Sequence, residues 1–501
     1  MPKQEVYHLH PYGWENDPEV ERYSISTLDF LVTQSYTNFA VFFQLEDEDK
    51  PKAVETLKAG LERTLAQVRH LVGSIEGTPE GSYSFTRRRG STVAFHVQWL
   101  DDPADADKYP SFDDIHKANY CAARLGDLKL WSVPPMTYGE KPEADPANSP
   151  VTAAFKANFI RGGLVLNMHE HHYASDIMGW NGLAHQLAEN CYAVFHGTAF
   201  PSWDPACNDL SRVCKPAPPE EPMVDGPAPP QRHPGHEVGT ALLFHLPKSK
   251  AAELKELAKP EDGTWISTYD AFSAFIWRNL TRLRAPVFKP EPDSKLFWAE
   301  AVDMRRRLHS PKPPARIQQN LLCGALSPTS GVEQPTAAEL ISGWPFWKLA
   351  RYVRQMTDSV TQEELDKTLT ALAPVRNKSA LNIRIDAHPP MSIAQTDHRD
   401  VDIVRADFGF ARPATYRFLI DYVTEGAVVV YPPRDPSPAS DEGPEFSICY
   451  EEALAQALIE DVEFNRYFEY RGVDAVHAGS SGGAVGGAGS DVRAHSGCDM
   501  I

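Results

Sequence analysis

No run of about 18 consecutive apolar residues occurs in this chain, so no membrane-spanning helix is expected. The opening stretch, MPKQEVYHLHPYGWENDPEVER, has no apolar core segment, and a secretory leader is not expected. Cysteine is sparse: seven residues, at 121, 191, 207, 214, 323, 449 and 498, odd in number and without a CxxC. That argues against a disulfide framework or a thiolate zinc site and fits reduced thiols in the cytosol. Positive charge is also short, with 49 Lys and Arg against 68 Asp and Glu and a net charge of −19. Such a surface repels phosphate backbones and anionic lipid, so neither nucleic acid nor a membrane surface is an expected partner. The two arginine triplets, Arg87 to Arg89 and Arg305 to Arg307, are too short to reverse this.

What is present is an ordinary globular composition over 501 residues, 42% hydrophobic and 23% charged. At about 150 residues per domain, length alone suggests two to three domains. Phe39 to Phe43 is a wholly apolar run of strand length, and Leu57, Leu61, Leu65 and Val68 recur at helical spacing. Strand followed by helix followed by strand points to an α/β layered fold. Ala153 to Phe159 and Leu164 to Met168 read as paired strands with Arg161-Gly162-Gly163 as their turn, and an amphipathic helix with Trp180, Leu183 and Leu187 follows. Residues 201–238 are too rich in proline for helix or central strand and divide the chain into 1–200 and 239–470. The second half restarts with a strand over Thr240 to Leu246. A helix opens at Ser267, where Asp270 three residues on completes a capping box. Glu451 to Tyr470 is expected to be a last helix, and 471–501, dominated by Gly, Ser and Ala, a disordered tail.

The segment GGLVLNMHEHHYASDIMGWNG carries the chemistry. A strand delivers His171 and His172, and Asp176 opens a helix four residues after His172, an HHxxxD pattern. Imidazole titrates near neutrality, so His172 suits a general base that takes a proton from an alcohol or amine. Asp176 suits the helix start, and Gly179 allows close packing behind the turn. The crowding of His169, His171 and His172 leaves a metal reading open, but HExxH fails because Tyr173 stands where its second His belongs, and no metal is expected. Three other patterns are decoys. GSSGG at 479–483 lies in the expected tail with no strand before it. The kinase-like His398-Arg399-Asp400 and Asp407-Phe408-Gly409 lack the catalytic Asn, a Gly-rich loop and APE. Cys498 sits at a prenylation position, but the following residues fit poorly.

Several segments together resemble the BAHD acyltransferase family, in particular its fungal branch related to trichothecene 3-O-acetyltransferase. Ile25 to Asp29 resembles its LSxLD opening, and Phe155 through His172 to Gly179 its GG strand pair and HxxxD site. Ser267 to Trp277 resembles its second-domain helix, Ala301 to Arg305 its AVDxR strand, and Asp407 to Pro413 its DFGWGxP loop. The matches run in family order from Ile25 to Tyr470. The resemblance implies two chloramphenicol-acetyltransferase-like domains, each a mixed sheet with flanking helices, with an active-site channel at their interface. It implies that His172 sits mid-channel, that Asp176 points away toward Arg305, and that the loop with Asp407 and Gly409 is structural. It also implies acyl-CoA as co-substrate with no permanently bound cofactor. Thr396 and Ser267 are candidates for contact with that donor, and Thr396, standing where plant members carry TSW, is a candidate to donate to the oxyanion. The chain departs from the family where DFGFA lacks the second Gly, where YFGN reads Ile317-Gln318-Gln319-Asn320, and where TSW reads Thr396-Asp397-His398.

The expected activity is acyl transfer to a hydroxyl, or to an amine, of a small secondary-metabolite acceptor, in a cytoplasmic monomer with no covalent acyl-enzyme. The alternatives are a carrier-protein-dependent condensation-type transferase, in which a Gly normally follows the Asp where this chain has Ile177, and a non-catalytic binding member of the fold.

Overall fold

Tyr36–Gln44 (YTNFAVFFQ) is apolar on both faces, and a strand of that kind must lie inside a sheet covered on both sides. The computed structural model, which describes residues 2–78, 82–139, 141–217, 221–329 and 331–476, places it there. It belongs to a six-stranded mixed sheet ordered Lys3–Leu9, Val93–Trp99, Ala153–Ile160, Gly163–His171, Tyr36–Gln44 and Pro413–Phe418. Alternation divides its side chains. Phe39, Val41 and Phe43 join one core with Leu57, Leu61 and Leu65 of the helix Lys50–Gln67 and Trp180, Leu183 and Leu187 of the helix Ile177–His196. Ala40 and Phe42 face a second core around Trp131 and Leu125.

The second half builds a seven-stranded mixed sheet: Leu322–Leu326, Trp298–Asp303, Ile393–Asp397, Ala427–Tyr431, Glu445–Glu451, Gly239–His245 and Glu469–Val476. Phe272, Ile276, Trp277 and Leu280 of the helix Thr268–Phe288 pack into its core. That helix begins where the sequence predicts: Ser267 Oγ accepts from Asp270 N at 3.2 Å and Asp270 Oδ2 from Ser267 N at 2.6 Å. A small three-stranded sheet of Val20–Ser24, Tyr83–Arg88 and Ser74–Gly77 flanks the first half.

Three expectations change. The two sheets do not follow the two halves strand for strand, because Pro413–Phe418 leaves the second half to pair antiparallel with Tyr36–Gln44 in the first sheet. An apolar strand left at a sheet edge invites wrong pairing, and this crossover covers it. The expected last helix spans only Ala455–Glu460, because Phe464, Tyr467 and Phe468 are drawn into the core beyond it. The expected tail begins too early. Residues 471–476 belong to the strand Glu469–Val476, paired with Gly239–His245, with Asp474 and Ala475 buried and Arg471 bridging Glu442 and Glu445. The rest of that tail, with GSSGG and Cys498, lies outside the described residues.

Truncation after Arg471 should therefore destabilise the protein, by an amount on the order of the ~1–3 kcal/mol that one or two buried side chains contribute. Truncation after Val476 should leave the strand pairing intact. Thermal unfolding of the two shortened chains beside the full one measures the difference, and equal midpoints would show that the strand adds nothing.

Candidate active site

The strand Gly163–His171 carries a row of histidines whose fates differ by position. His169 is buried, and its Nε2 accepts from Val133 N at 3.1 Å. His171 is buried too: Nδ1 accepts from Tyr173 N at 3.1 Å, so Nε2 donates to the Ala144 carbonyl at 2.8 Å. Burial holds the His171 pKa down, to about 4. Both rings are hydrogen-bonded parts of the interior, which accounts for their crowding. Among the described residues no three His, Cys, Asp or Glu side chains gather as metal ligands would.

His172 leaves the strand at the first position of a short turn, His172–Ala174, and is only half-buried. It lines a cavity of about 440 Å³ whose wall comes from both halves: Phe39 and Met178 on one side, Leu322, Thr396 and Val429 on the other. Its Nδ1 stands 3.1 Å from the Ser175 carbonyl. A carbonyl can only accept, so in the neutral ring Nδ1 carries the proton and Nε2 the lone pair. Burial lowers the pKa of this imidazole from its ordinary value, outweighing its hydrogen bond to Ser175, and so favours the free base.

The turn is clamped from the second half of the chain. Asn320 Nδ2 donates to the His172 carbonyl at 2.8 Å and to Asp29 Oδ1 at 3.0 Å, and the backbone N–H of Asn320 donates to the same oxygen at 2.9 Å. Asp29 also accepts from Ser26 N at 2.7 Å. The sequence offered Asp29 and Asn320 only as letters of two motifs; their meeting behind His172 is a tertiary fact.

Asp176 also borders the cavity, but both its carboxylate oxygens are engaged by the protein. Oδ1 caps the helix by accepting from Gly179 N at 2.8 Å, while Oδ2 accepts from Leu321 N and from Arg305 Nη1, each at 2.8 Å. Arg305 in turn donates to the carbonyls of Ile317 and Gln319 and to Asp303. Gly179 is required by closeness: a Cβ there would stand 2.7 Å from Ser175 Oγ and 3.0 Å from the Gln319 carbonyl.

A family model described as the trichothecene 3-O-acetyltransferase-like N-terminal domain matches residues 35–191. A second, described as the Transferase family, matches residues 132–462, well over half of the chain. The chain belongs to the Transferase family, of BAHD type. Acetyltransferase FGR3 of Gibberella zeae is 66% identical over 474 residues, covering 95% of each chain. Trichothecene 3-O-acetyltransferase TRI101 of Fusarium sporotrichioides is 25% identical over 396 residues, 75% of this chain and 81% of that one. The crystal structure of F. graminearum TRI101 complexed with ethyl coenzyme A matches in fold with a TM-score of 0.75 at 21% identity, covering 90% of this chain and 100% of that one. This transferase thus has the two-domain chloramphenicol-acetyltransferase-like fold, and it is an acyltransferase.

The remaining residues singled out in this transferase's sequence separate into two groups. Thr396 is on the cavity wall with His172, its hydroxyl 3.2 Å from His398 Nε2. Ser267 is not among the wall residues; its hydroxyl oxygen caps Thr268–Phe288 by accepting from the Asp270 N–H. Asp407 and Gly409 lie off the cavity. Asp407 accepts from Gly409 N at 2.9 Å and pairs with Arg412 at 3.0 Å. Gly409 has φ +82° and packs where a Cβ would stand 2.6 Å from Phe195 Cβ. The loop turns the chain against the far end of the site helix and into the crossover strand. No helix of the described residues is long and apolar enough to cross a membrane.

Proposed function

We propose that this acyltransferase moves an acyl group from acyl-CoA to a hydroxyl of a small, non-anionic secondary metabolite, with His172 as general base. The observation that carries the reading is the Nε2 lone pair of His172, exposed on the wall of a cavity built from both halves. The donor class is supported by relatives: TRI101 of the same fold is bound to ethyl coenzyme A, and FGR3 is named an acetyltransferase, which makes acetyl-CoA the first donor to try. That the acceptor is not an anion follows from the charges on the wall. Asp176 and Asp303 meet Arg305, Asp397 meets Arg399 and Asp386 meets Arg384. Glu300 hydrogen-bonds to Trp298 and Thr357, with its pKa pushed up to about 7 by burial. Because Asp176 and Asp303 share one guanidinium and the other cations are paired, an anionic acceptor would find no free counter-charge among these groups. A cytoplasmic monomer with no permanently bound cofactor remains the working picture.

The reaction needs only this geometry. Nε2 of His172 takes the acceptor's proton as its oxygen adds to the thioester carbonyl. The carbonyl electron pair moves onto oxygen, then returns as the carbon–sulfur bond breaks, and the departing thiolate takes the proton back from His172. Holding both substrates in one cavity replaces a bimolecular encounter by a positioned one.

Incubation with a panel of acyl-CoAs and hydroxylated metabolites, read by mass spectrometry, tests the reading. Transfer only from acyl-carrier protein would favour a condensation-type enzyme, and CoA binding without turnover a non-catalytic one. The pH profile has a fixed sign. The active form is the free base and burial depresses its pKa, so kcat/KM should be flat through neutrality and fall only below the ordinary imidazole value of 6.5. An acidic limb already descending at pH values above that would contradict the assignment.

A further inference from the structure

His398 is a buried imidazole on the cavity wall for which the reaction above has no use. It follows the strand Ile393–Asp397, which lies in parallel register between Trp298–Asp303 and Ala427–Tyr431, and its own N–H is tied to the Val430 carbonyl at 2.7 Å. Its two ring nitrogens are both engaged. Nδ1 stands 3.0 Å from the hydroxyl of Tyr416, on the crossover strand, and Nε2 stands 3.2 Å from Thr396 Oγ1. A three-membered chain of hydrogen bonds therefore runs from the first sheet to a hydroxyl on the cavity wall shared with His172.

The direction of that chain follows from satisfaction. Tyr416 is fully buried, and among the described residues His398 Nδ1 is the partner of its hydroxyl. If Nδ1 carried the ring proton, the tyrosine proton would be stranded in the core without an acceptor, which is the costly side of hydrogen-bond energetics. Tyr416 therefore donates to Nδ1, the ring carries its proton on Nε2, and Nε2 donates to Thr396 Oγ1. Burial holds the ring neutral, with its pKa lowered to about 4, so no second proton disturbs this order. With its oxygen accepting from His398, the half-buried Thr396 must turn its own proton elsewhere, and the cavity is the open side.

We propose that His398 is a positioning residue: with Tyr416 behind it, it orients the Thr396 hydroxyl to donate to the oxyanion formed as the acceptor adds to the thioester. An oxyanion donor stabilises the transition state best when it is oriented before the charge develops, and an unrestrained hydroxyl would have to reorient during the reaction. The inference rests on the acyl-transfer reading and extends it from the base to the opposite side of the carbonyl.

The test uses the full chain and acetyl-CoA, with thiol release measured against water and against the alcohol that responds in the panel. Thr396→Val should lower kcat on the order of 10²-fold, as loss of one oxyanion donor does, with KM for acetyl-CoA unchanged. His398→Phe should lower kcat about tenfold, the worth of one oriented hydrogen bond. His398→Gln, whose amide offers one donor and one acceptor, should recover most of that loss, to within about threefold of wild type. In a Thr396→Val background, His398→Phe should change kcat by less than about twofold, because the hydroxyl it orients is gone. Tyr416→Phe, which keeps the His398 ring and removes only the group that fixes its tautomer, should lower kcat by less than His398→Phe and lose that effect in the Thr396→Val background, and it serves in its place if that variant does not fold. Multiplicative losses in the double variant, or wild-type turnover by Thr396→Val, would overturn the relay while leaving His172 in place as the base. Absence of thiol release by the wild-type protein under every donor would overturn the transferase reading and the relay together.

Discussion

Replacing His172 by alanine should lower kcat by about 10²–10⁴-fold, the usual worth of a general base, while the fold survives. The side chain is half-buried on a cavity wall, and its single ring bond is to the Ser175 carbonyl, which can turn to water once the ring is gone. The elements that hold the turn are elsewhere: the His172 backbone is tied to Ser35 and Asn320 whatever side chain it carries. His171→Ala is the opposite case. That ring is buried with both nitrogens bonded, so its loss strands the Tyr173 N–H and the Ala144 carbonyl. It should cost stability first, about 1–3 kcal/mol for each stranded group, and turnover second. Steady-state kinetics and thermal unfolding of the two variants side by side separate the roles. Near wild-type turnover by His172→Ala would end the general-base assignment.

Asp176→Ala should destabilise the protein by about 3–5 kcal/mol, more than any substitution of His172, because it leaves the buried Arg305 guanidinium short of its carboxylate. Both side chains are nearly inaccessible, 8% exposed for Arg305 and 6% for Asp176. Asp303, 30% exposed, still pairs with Arg305, which argues for the lower end of that range. Loss of the cap on Gly179 alone would cost only about 0.5–2 kcal/mol, so the measured size distinguishes a buried pair from a helix cap. Asp176→Asn keeps an oxygen for Gly179 but turns an amide donor toward Leu321 N or Arg305, and it should be unstable too. A double-mutant cycle on Asp176 and Arg305, read by denaturant unfolding, should show a coupling of about 0.5–3 kcal/mol. Additive losses would refute the pair. An Asp176→Asn variant as stable as wild type yet inactive would move the carboxylate into the chemistry.

Much of the site was legible because it is local. The paired strands around Gly162, the catalytic turn and the capping boxes are set by neighbours three or four residues apart, and spacing reports those contacts directly. The strand Tyr36–Gln44 was legible through its apolar run Phe39 to Phe43, which a central strand accepts. Ser267 shows the limit of motif order. It falls in the right place for the family's second-domain helix, yet its hydroxyl oxygen caps that helix by accepting from the Asp270 N–H, and the residue is not on the cavity wall.

What the chain's order could not convey are pairings across long separations. The clamp behind His172 joins Asn320 to Asp29 over 291 positions, and the Asp176–Arg305 pair spans 129. The strand Glu469–Val476, interrupted by Gly472, has weak strand character alone and gains it from Gly239–His245 beside it, since strand preference reflects the neighbouring strand as much as the residue. The crossover of Pro413–Phe418 is the same kind of fact: an ordinary strand in sequence, it becomes a bridge between the halves because Tyr36–Gln44 would otherwise leave an apolar edge. Residue types and spacing single out the proposed base, His172, and its turn. Which nitrogen of His172 is free, where Asp176 points and what backs Thr396 depend on groups folding brings together from both halves.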